Sequence, residues 1–245
     1  MFESAQVRWH GRDVMFDVRS DTNDGALVHG ILGEDEYQID RMAPVSGWII
    51  DIGAHIGIVS VGLAVVHPDA RIVAVEAIPE NAELLARNIA RNGLSDRAFV
   101  ESAGAGGPGE TVVPVIYGYR SVGIEGRDRP IVDAGYVSQC RYIGNIFQYP
   151  TGEQEAITED RPGLSLSNIM AKYEIDRVSL LKIDCEGCEW TFLTDPAVDR
   201  VDAIIGEYHG KGPRGSELAG IRALLEATHL VSGYGEASLF RAVHR

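Results

Sequence analysis

The sequence is short of cysteine, of long apolar runs and of basic residues. It has only three cysteines in 245 residues, too few for a disulfide framework, and the odd number is typical of the reducing cytoplasm. No apolar run approaches the roughly 18 residues that a membrane-spanning helix needs. Residues 1–4 lack the basic and apolar regions of a secretory signal. These absences predict a soluble, cytoplasmic protein with no membrane partner.

Basic residues are outnumbered, with 22 lysines and arginines against 36 acidic residues and a formal net charge of −14. A surface this acidic repels phosphate backbones, so nucleic acid is not an expected partner. In other respects the composition is that of a globular enzyme, with 45% hydrophobic residues and 28 glycines.

One stretch organises the rest of the sequence. An apolar run at 48–50 is followed by Asp51, by Gly53 and Gly57, and by a second apolar segment at 58–66. This order predicts a buried strand, a tight turn and a helix. Glycine is needed where the backbone takes a positive φ or approaches a ligand closely, and free N–H groups at the start of a helix suit a nucleotide or a carboxylate. We call residues 51–57 the glycine loop and expect it to bind a nucleotide.

Strands alternate with helices along most of the chain. This alternation predicts an α/β fold with a doubly wound, mostly parallel sheet. The predicted strands are 48–51, 71–76, 98–103, 178–184 and 203–209, with a closing antiparallel pair at 229–234 and 238–243, and the predicted helices include 57–66, 79–92 and 215–227.

We expect a single domain over residues 1–245. Residues 1–45 form an N-terminal extension with a β-hairpin and a short helix, and residues 46–116 and 163–245 form the core. Residues 117–162 show no clear periodicity, and such a long insertion before the fourth core strand is typical of an acceptor loop or lid.

The residues around the glycine loop indicate which nucleotide it binds. Glu76 ends the second core strand, where an acid reaches the ribose hydroxyls. A dinucleotide site has the pattern G-x-G-x-x-G, but His55 replaces its middle glycine here. Asp51 would repel a pyrophosphate and attract a cation. S-adenosylmethionine (SAM) has a sulfonium, an ammonium and no phosphate, so the charge pattern favours SAM over NAD.

Three motifs taken together resemble the FkbM family of SAM-dependent methyltransferases. They are DIGAHIG at 51–57, VEAIPENAELLARNI at 75–89 and LKIDCEGCEWTFL at 181–193, and the resemblance spans roughly residues 34–210. It implies a class I, Rossmann-like methyltransferase that methylates a hydroxyl of a natural product or sugar. Two positions depart from the family pattern: His55 stands where asparagine is more common, and Ser167 where aspartate is often found.

The resemblance also implies roles for individual residues. Asp184 would lie near the methionine ammonium or the reacting methyl group, and Tyr37 matches an aromatic residue that precedes the glycine loop. The remaining implied contacts are Asp51, Gly53, Ala54, His55 and Gly57 for the methionine moiety, Glu76 for the ribose, Ser102 and Ala103 beside the adenine, and Ala77 as a further cofactor contact.

Methyl transfer to a hydroxyl is an in-line displacement, and the hydroxyl needs a base to remove its proton. The candidates at strand ends are His209, Asp184, Glu207 and Glu186. His209 has the most suitable ordinary pKa, although it could equally be a loop histidine bonded to backbone.

No metal site is predicted. Asp184, Glu207 and His209 could hold Mg²⁺ for the acceptor hydroxyls, but no spacing requires it. Cys185-x-x-Cys188 suits a redox pair or part of a zinc site, with buried packing thiols as the simpler alternative.

The sequence thus predicts a SAM-dependent O-methyltransferase acting on a small hydroxylated molecule, with homo-oligomerisation possible. The alternatives are an NAD(P)-linked oxidoreductase and a non-catalytic nucleotide-binding protein with a decayed site. A thermal shift with SAM or NAD separates the first two, and any turnover excludes the third.

Overall fold

The computed structural model describes residues 2–20, 22–121, 154–209, 218–234 and 238–245. In this part of the chain the strands are β1 (Phe2–Trp9), β2 (Arg12–Arg19), β3 (Gly47–Ile52), β4 (Ala70–Glu76), β5 (Ala98–Ser102), β6 (Gly104–Ala105), β7 (Val112–Ser121), β8 (Gln154–Leu164), β9 (Val178–Ile183), β10 (Ala203–Glu207), β11 (His229–Gly233) and β12 (Leu239–His244). The α-helices are α1 (Asp24–Val28), α2 (Ile58–Val66), α3 (Pro79–Arg91), α4 (Leu166–Lys172), α5 (Glu189–Phe192) and α6 (Leu218–Leu225).

A seven-stranded sheet forms the centre of the fold, in the order β11-β12-β10-β9-β3-β4-β5. Strands β10, β9, β3, β4 and β5 pair in parallel, and β12 runs antiparallel to both β10 and β11. The predicted doubly wound sheet with an antiparallel closing pair is therefore confirmed. The central strand β3 is apolar because it is covered on both faces, and its last four residues are buried.

The N-terminal extension packs against the helices on one face of this sheet. β1 and β2 form the predicted antiparallel hairpin. Trp9 Nε1 donates to the Gly62 carbonyl in α2 at 3.1 Å. A Cβ on Gly62 would lie 2.6 Å from Leu32 Cδ2, so this glycine permits the close approach. In α3, Asn88 accepts from the Asp17 amide and donates to the Ile56 carbonyl, which ties the hairpin to the glycine loop.

The predicted insertion begins and ends as a long hairpin. β7 and β8 pair from Val112 opposite Pro162 to Ser121 opposite Gln154, and β6 adds a third strand. The sequence predicts a strand at 111–115, which is the first half of β7. The second half was not predicted because a register shift between Ile116 and Gly118 breaks the alternation, and β8 was not predicted either. Residues 122–153 lie outside the described residues, and so does most of the predicted acceptor loop.

No α-helix in the described ranges combines the length and the apolar character needed to cross a membrane.

Candidate active site

A cavity of about 300 Å³ opens at the carboxyl ends of β3, β4, β9 and β10. This is the edge where parallel α/β sheets bind their ligands. Residues from the glycine loop, from the end of β9 and from the N-terminal extension line it together. Of the predicted site residues, it brings together Tyr37, Gly53, Ala54, His55, Glu76, Asp184, Glu207 and His209.

The glycine loop is shaped by close packing against the residue that follows β9. Gly53 has φ +73°, and a Cβ there would lie 1.8 Å from the Asp184 carbonyl oxygen. The Gly53 and Ala54 amides both donate to the Val75 carbonyl, and the Gly57 amide donates to the Ala54 carbonyl. These amides are therefore used inside the protein, and the loop contributes its shape more than free donors.

Three predicted cofactor contacts are not part of the described cavity walls. Gly57 begins α2 with φ +92°, and a Cβ there would lie 2.6 Å from Leu85 Cδ1, so it allows α2 and α3 to pack. Ser102 is exposed at the end of β5. Asp51 is fully buried beneath the glycine loop.

Asp51 forms a buried ion pair instead of facing a ligand. Its carboxylate lies 3.2 Å from Lys182 Nζ and accepts from Ser60 Oγ at 2.5 Å. Lys182 also donates to the Gly53 carbonyl at 2.9 Å. Burial favours the neutral amine, but Asp51 and Asp184 outweigh it and raise the pKa of Lys182. The expectation that Asp51 attracts a cationic ligand is thus corrected, because Lys182 neutralises it.

Asp184, unlike Asp51, reaches the cavity with its carboxylate. Tyr37, which is 2% exposed, donates its hydroxyl to Asp184 Oδ2 at 2.5 Å. Burial raises the pKa of Asp184, but Lys182, His209 and the Tyr37 hydrogen bond outweigh it and lower the pKa overall. Asp184 therefore keeps its negative charge at the cavity wall, where a cationic ligand group would be stabilised.

Glu76 lies between the main cavity and a smaller one of about 30 Å³. Its two carboxylate oxygens accept from the His55 amide at 2.8 Å and the Ile78 amide at 2.9 Å. The oxygen that faces Ile78 also accepts from Asn81 Nδ2 at 3.4 Å, so the spare lone pair for another donor is on the oxygen that faces His55. Burial raises the pKa of Glu76. Ala77 and Ala103, two of the predicted cofactor contacts, line the smaller cavity.

Four carboxylates surround His209 and form what we call the acidic cluster (Asp184, Glu186, Glu189, Glu207 and His209). His209 Nδ1 lies 3.1 Å from Glu189 Oε1. His209 Nε2 lies 3.6 Å from both Glu186 and Glu207 and 3.8 Å from Asp184.

The acidic cluster reverses the expected protonation of His209. Burial lowers its pKa, but the bond to Glu189 and the charges of Asp184 and Glu186 raise it to about 10. Near neutral pH His209 is therefore an imidazolium and has no free lone pair with which to accept a proton. This charge disfavours His209 as the base, and the identity of the base stays a prediction.

Glu186 is better matched to proton transfer. Burial raises the pKa of Glu186 to about 8, with Asp184 adding to the rise and His209 opposing it. Burial likewise raises the pKa of Glu207, which accepts from Ser238 Oγ at 2.5 Å. A general base is most effective when its pKa lies near the working pH, and Glu186 meets this condition.

The cluster also has the spacing of metal ligands. One donor atom each from Asp184, Glu189 and His209 lies within 4.8 Å of the others. This set of possible metal ligands contains Glu189, whereas the set considered from the sequence contained Glu207. A cation bound here would have to displace the proton of His209, because an imidazolium has no lone pair for a metal. Mg²⁺ binding therefore stays an untested hypothesis.

Sequence reasoning missed Lys182, Glu189 and Glu36 as site residues. Lys182 could have been identified from the sequence, since a lysine inside an otherwise apolar strand requires a buried partner. Glu189 is buried in the short helix α5, where nothing local marks it. Glu36 lines the cavity from the N-terminal extension, one residue before Tyr37.

The sheet order, the antiparallel closing strand and the cavity at the strand ends define a class I, Rossmann-like methyltransferase fold. The family model described as the methyltransferase FkbM domain matches residues 51–230 of the sequence. The chain therefore belongs to the FkbM methyltransferase family, which confirms the resemblance of its three motifs and disfavours the oxidoreductase alternative. No curated protein matches the chain.

Solved structures share the fold at low sequence identity. A proposed rRNA methylase from Clostridium thermocellum has a TM-score of 0.50 at 11% identity, covering 87% of this chain and 94% of its own. TrmK from M. capricolum, in complex with S-adenosylhomocysteine (SAH), has a TM-score of 0.46 at 11% identity. The match covers 84% of this chain and 64% of TrmK, so the chain spans just under two thirds of that protein. At such identities the likeness shows the fold alone.

Proposed function

We propose that the protein transfers a methyl group from SAM to a hydroxyl of a small molecule. The observation that carries the proposal is the acidic cluster, four of whose five members line the same cavity as the glycine loop. The family and the fold are those of SAM-dependent methyltransferases. A methyl donor held at the glycine loop would therefore lie beside groups that can remove a proton from an acceptor.

The residues present fit SAM. Asp184 presents a negative charge at the wall, which suits the ammonium or the sulfonium. Glu76 has spare acceptor capacity for ribose hydroxyls, and the alanine-lined cavity beside it suits an apolar ring. When bound, SAM supplies an electrophilic methyl group. The protein's own contribution is to orient the donor through Asp184 and Glu76 and to exclude water around them.

Proton removal is assigned to Glu186. Its ionised carboxylate would accept the hydroxyl proton, because a pKa of about 8 leaves a useful ionised fraction near neutral pH. His209, held by Glu189, keeps a positive charge within 4 Å of the carboxylates and stabilises their ionised forms. Glu207 and Asp184 then act as neighbours that tune this group, in place of the earlier roles as alternative bases.

The negative charge of the cavity wall limits the kinds of acceptor that can bind. The cavity wall carries Glu36, Glu186 and Glu207, and the whole chain has a net charge of −14. Both features disfavour a polyanionic acceptor, so we infer a small molecule and not a nucleic acid. The same wall favours an amine as a second candidate acceptor, since an ammonium would be attracted to these carboxylates before losing its proton.

Binding tests the cofactor half of the proposal. Calorimetry with SAH should show saturable binding, and NAD should show none. Glu76→Gln should weaken SAH binding by about tenfold or more, because hydrogen bonds to charged groups contribute about 1.5–3 kcal/mol. Glu83→Gln, an exposed position in helix α3 seven residues after Glu76, is the matched control and should bind normally. Binding of NAD but not SAH would refute the proposal.

Turnover tests the acceptor half. A panel of polyols, phenols, sugars and amines, incubated with methyl-labelled SAM, should give labelled product from a hydroxylated member. Labelling of amines alone would move the assignment to the second candidate. An absence of turnover across the panel, with normal SAH binding, would favour the non-catalytic alternative.

A further inference from the structure

Cys185 and Cys188 are the motif that methyl transfer leaves unexplained. They are joined by a disulfide, with their Cα atoms 5.5 Å apart, which is within the usual range for such bonds. The bond closes what we call the cysteine loop (residues 185–188), which connects β9 to α5. An odd cysteine count first indicated free thiols, so the pairing changes the interpretation of this loop.

The disulfide lies in the wall of the candidate active site. Cys185 is 7% exposed and lines both the main cavity and the smaller one, whereas Cys188 is fully buried. The Cα of Cys185 would lie 3.2 Å from a Cβ on Gly53, so the cysteine loop packs directly on the glycine loop. A reagent that reaches Cys185 through either cavity therefore passes through the space proposed for the cofactor.

The same loop positions the acidic cluster. The Cys185 amide donates to Glu189 Oε1, the atom that also lies 3.1 Å from His209. Glu186 has φ +56° and Gly187 has φ +115°, so the closed loop holds a non-glycine residue in the left-handed region. This conformation costs energy that the surrounding ring must supply. The disulfide is thus one of the constraints that keep Glu186 beside His209.

We propose that Cys185 and Cys188 are a reversible redox pair in the wall of the cofactor cavity, and that bound cofactor shields the pair from thiol exchange. Oxidation by a small disulfide such as glutathione disulfide balances in two steps. The Cys185 thiolate attacks one sulfur and expels a glutathione thiolate, and the Cys188 thiolate then attacks Cys185 and expels the second. Two electrons pass from the cysteines to glutathione disulfide, and the two protons end on two glutathione thiols.

The surroundings suit a slow switch more than an enzyme of disulfide exchange. The carboxylates of Asp184, Glu186 and Glu189 lie next to or within the cysteine loop and repel thiolates, including the anionic glutathione. Exchange at this site is therefore slow, and the pair keeps its state between changes in the redox conditions. The shielding part of the proposal rests on the proposed function, because it requires a ligand in the cavity.

A glutathione titration tests the pair without any assumption about activity. The full chain is equilibrated at increasing ratios of oxidised to reduced glutathione, alkylated, and the peptide with residues 185–188 analysed by mass spectrometry. We expect a change from two alkylated thiols to none, with an identical curve for the control Cys140→Ser. Cys188→Ser should leave Cys185 alkylated or glutathionylated at every ratio. A wild-type peptide that stays doubly alkylated at the highest ratio would overturn the proposal.

Shielding is tested by the rate of disulfide reduction with and without SAH. At an SAH concentration about ten times its Kd, roughly a tenth of the protein is unbound, so reduction should slow about tenfold. An unchanged rate, with SAH binding shown by calorimetry, would overturn shielding. If calorimetry shows no SAH binding, the proposed function fails, and the glutathione titration still decides the redox pair.

Discussion

Removing the Lys182 ammonium should destabilise the protein far more than removing an exposed one. Lys182 is 2% exposed and lies directly opposite Asp51 in the β3–β9 ladder, with 3.2 Å between the charged atoms. Among the described residues, Asp51 Oδ1 accepts no hydrogen bond, so the lysine is its main compensation. Lys182→Met would leave this buried carboxylate unpaired, which costs about 3–5 kcal/mol. For a chain of this size, that corresponds to a fall in Tm of roughly 6–20 °C.

Urea denaturation followed by circular dichroism measures this loss. The matched control is Lys172→Met, because Lys172 pairs with Glu101 but is 54% exposed and should lose less than about 1 kcal/mol. The double variant Lys182→Met with Asp51→Asn should recover part of the loss, since it removes both buried charges. Equal losses in Lys182→Met and Lys172→Met would refute the reasoning that burial makes this pair critical.

Two further predictions concern the glycine loop and the acidic cluster. Gly53→Ala should abolish SAH binding, because its Cβ would lie 1.8 Å from the Asp184 carbonyl oxygen. The control is Gly109→Ala, which has a similar φ of +84° but nothing within 4 Å of the added Cβ, so it shares only the conformational cost. Equal SAH affinities in the two variants would contradict the predicted clash. Acceptor turnover should rise with pH through about 8, because Glu186 must lose its proton to act as a base, and fall near 10 as His209 loses its charge. Glu186→Gln should remove the rising limb of the pH profile of kcat/KM, and a limb that persists would exclude Glu186 as the base.

The core could be predicted from the sequence because its strands are buried on both faces. Runs such as 48–50 and 72–75 are apolar without alternation, which is typical of central parallel strands. Only residues 111–115 of the long hairpin were predicted as a strand, because the register shift beyond Ile116 interrupts the alternation on which strand prediction depends. Its pairing is also long-range, and no local pattern reports it.

The site was predictable to the level of which strand ends meet, and not to the level of which atoms face the ligand. Asp51 and Asp184 both lie at the ends of buried strands, but one is held inside by Lys182 and the other reaches the cavity. A shift of one residue moves a side chain to the opposite face of a sheet, and sequence alone does not fix that register. The charge on His209 likewise depends on Glu189, twenty residues earlier, and on the burial of both.

The closed hairpin of β7 and β8 has a consequence for changes in chain length. Because Ser121 pairs with Gln154, the two chain positions that flank 122–153 are held together by the hairpin itself. Loop-closure entropy grows slowly, and doubling the length of a connection costs only about 0.6 kcal/mol. We therefore expect insertions or deletions between Ser121 and Gln154 to leave the parallel sheet and the candidate cavity in place.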